Sequence, residues 1–235
     1  MLICLIDTSG PTAGVALLKD GVICYEAVVF NRMTHSEAIL PMTEEAYQKA
    51  GLELKDTDYF AVTAGPGSFT GVRIGVTTVK ALAHALDRPC IPLSALEAMA
   101  RGVMPFDGVV CPMQNARAGQ VYAACFDGLT GQRLMEDAAL PLDSFIDRAK
   151  GLADGRPLLL TGDGMTAYRE SLSGYQNPGL IPAPAHCAYL RPAAAAALAL
   201  ARVDTAVSAH ALLPVYLRPP QAVRQRNLVE RGRDV

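Results

Sequence analysis

The groups best placed for chemistry lie at a glycine-rich turn over residues 65–71, Gly-Pro-Gly-Ser-Phe-Thr-Gly. An apolar stretch over residues 59–64 predicts a buried strand before the turn, and a helix over residues 71–86 follows it. Because a helix N-terminus presents unpaired N–H groups and the positive end of its dipole, the turn could bind an anion. It could equally be a tight structural turn, in which Ser68 or Thr70 caps the helix. The residues of this candidate anion site are Gly65, Gly67, Ser68 and Thr70.

The glycines continue onto the helix, where Gly71 and Gly75 lie four residues apart and therefore share one face. Each glycine costs about 1 kcal/mol of helix stability relative to alanine, but the bare face lets another element approach closely. The pattern is not a Walker phosphate loop, because no Lys-Ser or Lys-Thr pair follows the last glycine. Close packing and anion binding therefore stand as alternatives at this turn.

A second group of reactive side chains, His35-Ser36-Glu37, suggests a peptidase. Neighbouring residues on one helical turn cannot form a hydrogen-bonded triad, whereas Thr34 and Glu37 have the spacing of a capping box. The pattern therefore predicts the start of a helix over residues 35–50 and does not favour catalysis.

The composition of the 235-residue chain, 51% hydrophobic and 19% charged, excludes a disordered protein and predicts a well-packed core. The net charge of −2 excludes a global basic field that could bind nucleic acid unaided. The six cysteines are scattered without a Cys-x-x-Cys pair, which favours buried thiols over disulfides or zinc ligands. We recognise no signal peptide or membrane-spanning stretch, so we expect a cytoplasmic protein without membrane contact.

Apolar runs and turn signals predict alternating strands and helices, the pattern of an α/β fold that opens with an antiparallel meander. The predicted strands cover residues 1–6, 14–18, 22–30, 59–64, 89–93, 109–113, 120–126 and 158–161. The predicted helices cover residues 35–50, 71–86, 94–101, 142–150 with Asp143 as a cap, 165–172 and 192–202.

A polar segment with glycine and proline at residues 101–108 predicts a domain boundary. We therefore expect a first domain over residues 1–104 and a smaller second domain over residues 105–217. Helix 192–202 could pack back on the first domain. Residues 218–235 are rich in arginine and predict a flexible, solvated tail.

Four motifs occur in order along the chain: Leu5-Ile6-Asp7-Thr8-Ser9, Arg32-x-x-His35-Ser36-Glu37, the glycine pattern of residues 65–75, and Ser94-x-Leu96-Glu97. Together they resemble the bacterial TsaB family, also called YeaZ, accessory subunits of the machinery that makes threonylcarbamoyladenosine in tRNA. The match is specific over about residues 1–101. It is thinner beyond them, where Asn115 replaces a typically acidic residue.

The resemblance implies two ribonuclease-H-like lobes of the actin and sugar-kinase superfamily, with the second lobe reduced. It also implies that Asp7, Thr8 and Ser9 are a vestigial nucleotide loop, because the acidic end of the first strand helps hold a nucleotide's metal and phosphates in that superfamily. The catalytic relative TsaD carries two metal-binding histidines, and this chain has Ala95 and Met99 at the matching positions. The resemblance therefore implies that the chain has no catalytic residue, no metal and no cofactor of its own.

The function implied by the resemblance is that of a non-catalytic subunit that pairs with TsaD and works with the ATPase TsaE. ATP is then used by the complex, tRNA is reached through the complex, and homodimers can form without the partner. The helices over residues 35–50 and 71–86 are expected to bundle with the partner's equivalents. The expected interface face consists of Ile39, Met42, Ala46, Gly71, Gly75, Val79 and Leu82.

An alternative function is an autonomous nucleotide-dependent phosphotransferase of the actin and sugar-kinase class. It would use Asp7, the glycine turn and Gly162-Asp163-Gly164. No catalytic base lies in a recognisable motif and the second lobe is short for a nucleotide cleft, so the subunit function is preferred. With that function, the glycine turn is expected mainly to aim the helix toward a partner, and anion binding becomes the minor alternative.

Overall fold

A computed structural model describes residues 1–30, 34–175 and 179–218 and shows an α/β fold with two five-stranded sheets. The first sheet has the order β3-β2-β1-β4-β5, with an antiparallel meander of β1, β2 and β3 and parallel additions of β4 and β5. Its strands are β1 (Leu2–Asp7), β2 (Ala13–Lys19), β3 (Val22–Val29), β4 (Tyr59–Gly65) and β5 (Cys90–Ser94). Arg32 of the sequence motif and residues 219–235 of the predicted tail lie outside the described residues.

The second sheet repeats the topology of the first. Its order is β10-β9-β6-β7-β8, again with a meander of three antiparallel strands and two parallel additions. Its strands are β6 (Val109–Arg117), β7 (Gln120–Asp127), β8 (Arg133–Pro141), β9 (Leu158–Thr161) and β10 (Leu180–Pro182). Each sheet forms the centre of one lobe.

Helices cover both faces of the first sheet. The helices are α1 (His35–Ala50), α2 (Phe69–Leu86), α3 (Ala95–Arg101), α4 (Leu142–Ala153), α5 (Gly164–Ala167), α6 (Arg169–Ser173) and α7 (Pro192–Leu200). α1 and α2 bury one face, including Cys4 and Ile6, whereas α3 and α7 bury the opposite face with Ile3 and Leu5. Burial from both sides explains why β1 is a continuous apolar run rather than an alternating one.

Each predicted strand is present, but β8 and β10 were missed. β8 carries Glu136 and Asp137 and has no buried residue, so neither an apolar run nor alternation marks it. Asp143 was a wrong cap for α4, because the N-cap position is Pro141 and Asp143 lies in the first turn. The helix predicted over residues 165–172 is divided into α5 and α6 at Tyr168.

An ion-pair network connects the two lobes. Glu97 of α3 accepts hydrogen bonds from Arg133 of β8 (3.3 Å) and from Arg202 after α7 (2.8 Å). Arg133 also pairs with Asp137, whose carboxylate accepts a hydrogen bond from the Ser94 hydroxyl at 2.6 Å. The Ser94 hydroxyl also accepts a hydrogen bond from the Glu97 N–H at 3.1 Å and so caps α3. The Glu97 carboxylate does not complete a capping box, because it binds the two guanidinium groups.

We predict that Glu97→Gln lowers the free energy of unfolding by about 1–3 kcal/mol, because a neutral amide cannot replace charge-assisted hydrogen bonds to two guanidinium groups. Urea denaturation measures the change. The matched control is Glu136→Gln, which removes a carboxylate 3.8 Å from the same Arg133 guanidinium but with 89% of its side chain exposed. An exposed pair contributes little, so this control should change stability by less than about 0.5 kcal/mol. Equal losses in both variants would contradict the role of Glu97.

Candidate functional site

The carboxylate at the end of β1 is enclosed by its own chain. Asp7 is 1% exposed, and its Oδ1 atom accepts hydrogen bonds from the Ser9 N–H (3.0 Å) and the Ser9 hydroxyl (2.7 Å). The Thr63 hydroxyl of β4 donates to the same oxygen. Burial raises the pKa of the Asp7 carboxyl above its usual value, and the hydrogen bonds from Thr63 and Ser9 oppose that effect. Asp7 therefore ties β1 to the neighbouring strand β4.

The glycine turn lies directly against the loop that follows β1, because β1 and β4 are parallel neighbours and end at the same edge. The Ser68 N–H donates to the Ser9 carbonyl oxygen at 2.8 Å. The Thr8 hydroxyl donates to the Gly71 carbonyl oxygen at 2.7 Å. Ser68 also caps α2 through its hydroxyl, which accepts the Gly71 N–H at 3.3 Å.

The missing side chains of the glycines make this contact possible. A Cβ atom at Gly67 would overlap the Ser9 carbonyl oxygen, and one at Gly71 would overlap the Thr8 carbonyl oxygen. At Gly75 a Cβ atom would lie 2.5 Å from the Thr8 hydroxyl oxygen. The bare face of α2 therefore packs on the loop after β1 of the same chain.

The residues expected to contact a partner lie on the inner faces of α1 and α2, so this part of the sequence prediction is wrong. Gly71 and Gly75 face the loop after β1. The remaining five pack against the first sheet, with Ile39, Met42, Ala46 and Val79 buried and Leu82 partly buried. An apolar stripe predicts that a helix face is covered but cannot distinguish the chain's own sheet from a partner, because both bury the same kinds of side chain.

A C-terminal strap, residues 207–218, runs past the base of α2 and over the glycine turn to the second lobe. The Val215 N–H donates to the Ala64 carbonyl oxygen at 2.7 Å. Gly65 has a φ of +126°, and a Cβ atom there would overlap the Val215 carbonyl oxygen, so both the backbone conformation and the close approach require glycine. The Arg218 guanidinium donates to a carbonyl oxygen of β6 at 2.5 Å. The strap therefore joins the glycine turn to the second sheet.

A cleft of about 560 Å³ lies between the lobes, bounded by the loop after β1, the start of α2, the end of β6 and the C-terminal strap. Of the residues predicted for a site here, Ser9, Gly67, Ser68, Thr70 and Asp163 line the cleft. Asp7, Thr8 and Gly65 do not line it. Sequence reasoning missed Gln114, because it comes from a strand far along the chain and lies in no recognisable motif.

A groove of about 530 Å³ runs along the outer faces of α1 and α2. Leu40, which lines it, is 53% exposed. Leu40 is an apolar residue that does not belong to the buried stripe of α1. A leucine outside the stripe is the sequence signal that could have identified the outer face. Other residues lining the groove are Ser36, Phe69, Arg73, Ile74 and Thr77.

The residues that suggested a peptidase are not arranged as a triad. The Glu37 carboxylate accepts the Thr34 N–H at 2.9 Å, as the capping pattern predicted. The Ser36 hydroxyl lies 2.9 Å from the Thr34 hydroxyl, and His35 Nε2 donates to the Gly10 carbonyl oxygen at 2.9 Å. Ser36 and Glu37 therefore bond to the residue that starts α1, and His35 ties α1 to the loop after β1.

In the part of the chain that the structure covers, no three His, Cys, Asp or Glu residues are grouped closely enough to share a metal ion. All six cysteines are free thiols, and Cys24 on β3 is exposed rather than buried as its apolar surroundings suggested. No helix within the described ranges is long and apolar enough to cross a membrane.

We predict that Gly71→Ala lowers the free energy of unfolding by about 1–3 kcal/mol, because the new methyl group must displace the Thr8 backbone in a packed region. Chemical denaturation measures the loss. Gly151→Ala is the matched control, since a Cβ atom at Gly151 of α4 meets no other atom within 4 Å. This control should stabilise the protein by about 0.5–1 kcal/mol. Stabilisation in both variants would rule out the close contact with Thr8.

We predict that Asp7→Asn changes the pH dependence of stability while preserving the fold, because the asparagine oxygen can still accept the hydrogen bonds of Ser9 and Thr63. The folded-state pKa of Asp7 is raised, so its contribution to stability is present below the unfolded pKa and is lost as pH rises through the folded pKa. Urea denaturation across this pH range should show wild-type stability falling relative to the variant. Parallel stability profiles would contradict the raised pKa.

Comparison with known proteins places this architecture in a family. The model of the TsaD family, described as tRNA N6-adenosine threonylcarbamoyltransferase, matches residues 30–155. An inorganic polyphosphate/ATP-glucomannokinase from Arthrobacter sp. strain KM shares the fold alone, with a TM-score of 0.50 and 15% identity over 87% of this chain and 98% of that chain. The two lobes therefore have the expected actin and sugar-kinase fold.

Two further proteins are more similar. The tRNA threonylcarbamoyladenosine biosynthesis protein TsaB of Bacillus subtilis (strain 168) is 31% identical over 232 residues, which cover 94% of this chain and 96% of that protein. The structure of YeaZ from Pseudomonas aeruginosa has a TM-score of 0.71 and 27% identity, and the match covers 92% of this chain and 99% of that chain. The chain therefore belongs to the TsaB family, also called YeaZ.

Proposed function

We propose that this chain is a non-catalytic subunit of the tRNA threonylcarbamoyl-transfer complex and supports TsaD in forming threonylcarbamoyladenosine next to the anticodon. Membership of the TsaB family carries the proposal. A second observation supports the non-catalytic role. Ala95 and Met99, at the positions matched to the metal-binding histidines of TsaD, are buried in the apolar core between α3, α7 and the first sheet.

The outer faces of α1 and α2 are the proposed partner surface. The inner faces are already covered by the first sheet, whereas the groove between the outer faces is open to a partner. The TsaD family model spans residues 30–155 and therefore covers both helices, which supports equivalent helices in TsaD. Two such pairs of helices could pack together as a bundle. Without TsaD, we expect the same groove to pair with a second copy of this chain.

The other components follow from the same proposal. TsaE would hydrolyse ATP within the complex, and tRNA would bind to the complex rather than to this chain alone. The autonomous phosphotransferase is not favoured, since the Asp7 carboxylate is engaged by Ser9 and Thr63 and does not line the cleft.

We predict that Leu40→Asp abolishes co-purification with TsaD and weakens binding at least tenfold, because a carboxylate in the lining of the groove would have to be desolvated on pairing. The substitution lies on an exposed surface, so the isolated protein should keep its fold. In cells that depend on this variant, the threonylcarbamoyladenosine content of tRNA should fall. Pull-down with TsaD and mass spectrometry of digested tRNA measure the two effects.

Leu129→Asp is the matched control, because Leu129 is 63% exposed and lies in the second lobe away from the groove. It should leave both pairing and tRNA modification unchanged. Retained pairing in Leu40→Asp would contradict the groove as the partner surface. Normal threonylcarbamoyladenosine in cells that lack the protein entirely would contradict the proposed function itself.

A further inference from the structure

The groove between the outer faces of α1 and α2 contains a cation. Of the described residues that line the groove, Arg73 is the only one with a charged side chain, and the others are apolar or carry hydroxyl groups. Arg73 is exposed, and no carboxylate within the described ranges lies at ion-pair distance from its guanidinium. The 18 residues of α2 include no Asp or Glu, so the helix itself offers no counter-charge.

The aromatic ring of Phe69 holds Arg73 in place. The two residues are four apart on α2 and therefore share a face, and the guanidinium carbon lies 5.2 Å from the centroid of the Phe69 ring. That ring in turn lies against Tyr216 of the C-terminal strap, with 4.7 Å between the ring centroids. Burial raises the pKa of Tyr216 and the positive charge of Arg73 opposes the increase, which agrees with a guanidinium close to both rings. The guanidinium is therefore oriented before any partner binds.

A partner that covers the groove must neutralise this charge. Moving a guanidinium out of water without an acceptor is strongly unfavourable. A carboxylate is the best-matched acceptor, because its two oxygens accept two parallel hydrogen bonds from the planar guanidinium. An arginine that is already oriented loses less side-chain freedom on binding, which is typical of residues that dominate the affinity of an interface.

A second copy of this chain does not offer the required carboxylate when two grooves face each other. None of the described residues that line the groove is acidic. Each copy would bring its own Arg73 into the contact, and both positive charges would be desolvated without a counter-charge. The charge of the groove therefore disfavours self-pairing and favours a partner of opposite charge.

We propose that Arg73 selects the partner of this chain. Its guanidinium forms an ion pair with a carboxylate side chain of TsaD, and this contact favours TsaD over a second copy of the chain. The selection takes TsaD as the occupant of the groove and so rests on the proposed function. It adds to that function the charge that the contacting surface of TsaD must carry.

The test compares the full-length wild type with Arg73→Met and Arg73→Lys. Isothermal titration calorimetry at low and high salt measures the affinity for TsaD, and analytical ultracentrifugation measures self-association. Arg73→Met keeps a long apolar side chain and should weaken binding to TsaD at least tenfold, because the TsaD carboxylate is then buried without its partner. The salt dependence of binding should also decrease, whereas self-association should not weaken. Arg73→Lys keeps the charge and should bind TsaD more tightly than Arg73→Met.

Variants of TsaD identify the carboxylate. Aspartate-to-asparagine and glutamate-to-glutamine substitutions are made one at a time in the TsaD helices equivalent to α1 and α2. One of them should weaken binding to the wild-type chain but should weaken binding to Arg73→Met no further, because the two groups form one contact. Additive losses for every TsaD variant would contradict the ion pair.

Arg148→Met is the matched control, because Arg148 is an exposed arginine of α4 in the second lobe and does not line the groove. It should leave the affinity for TsaD and self-association unchanged. Isolated Arg73→Met should unfold at a temperature close to that of the wild type, since the substituted side chain is exposed.

Equal affinity of the wild type and Arg73→Met for TsaD would overturn the selection by Arg73 and leave the proposed function standing. Equal affinity of Arg73→Lys and Arg73→Met would overturn it as well, because the charge would then make no difference. A loss of self-association as large as the loss of TsaD binding would show that a second copy supplies the counter-charge. A wild-type chain that does not bind TsaD at all would overturn the proposed function together with the selection.

Discussion

The structure depends on a close approach of two backbones, in which the glycine turn and the first turns of α2 rest on the loop after β1. Gly67, Gly71 and Gly75 lack the Cβ atoms that would collide with Ser9 and Thr8. This contact sets the direction of α2 relative to the first sheet. Because α2 then buries one face and exposes the other, the same contact determines which residues can meet another molecule.

The contact also separates two surfaces with different chemistry. The cleft is lined mostly by polar residues, among them Gln114, Asn115 and Asp163, whereas the groove between α1 and α2 includes the exposed side chain of Leu40. Phe69 and Thr70 line both, and the ring centroid of Phe69 lies 4.7 Å from that of Tyr216 in the C-terminal strap.

The first lobe was predicted more completely than the second for a physical reason. Its strands are buried on both faces or bounded by clear turns, so apolar runs mark them, as in β1. β8 lies at the edge of the second sheet. Its Arg133 pairs with Asp137 in the same strand and with Glu97, which is distant in sequence. From the sequence alone, a strand that carries such charged residues is interpreted as a loop, because the groups that pair with them are not known. β10 was missed for a similar reason. It has only three residues, too few for a sequence pattern, and it is a strand because it pairs with β9.

The sequence by itself determined the α/β class, the caps of α1 and α2, the glycine turn and the resemblance to the TsaB family, because these depend on local spacing and on motifs within short stretches. Only the tertiary structure decided what each helix face contacts. The stripe of Ile39, Met42 and Ala46 and the bare face of Gly71 and Gly75 are turned inward. The spacing of apolar and glycine residues along a helix specifies that one face will be covered. Which element covers that face is decided by contacts between residues that are distant in sequence. The glycine turn that suggested an anion or a partner is therefore first a contact within the chain, and Gly67, Ser68, Phe69 and Thr70 also line the cleft.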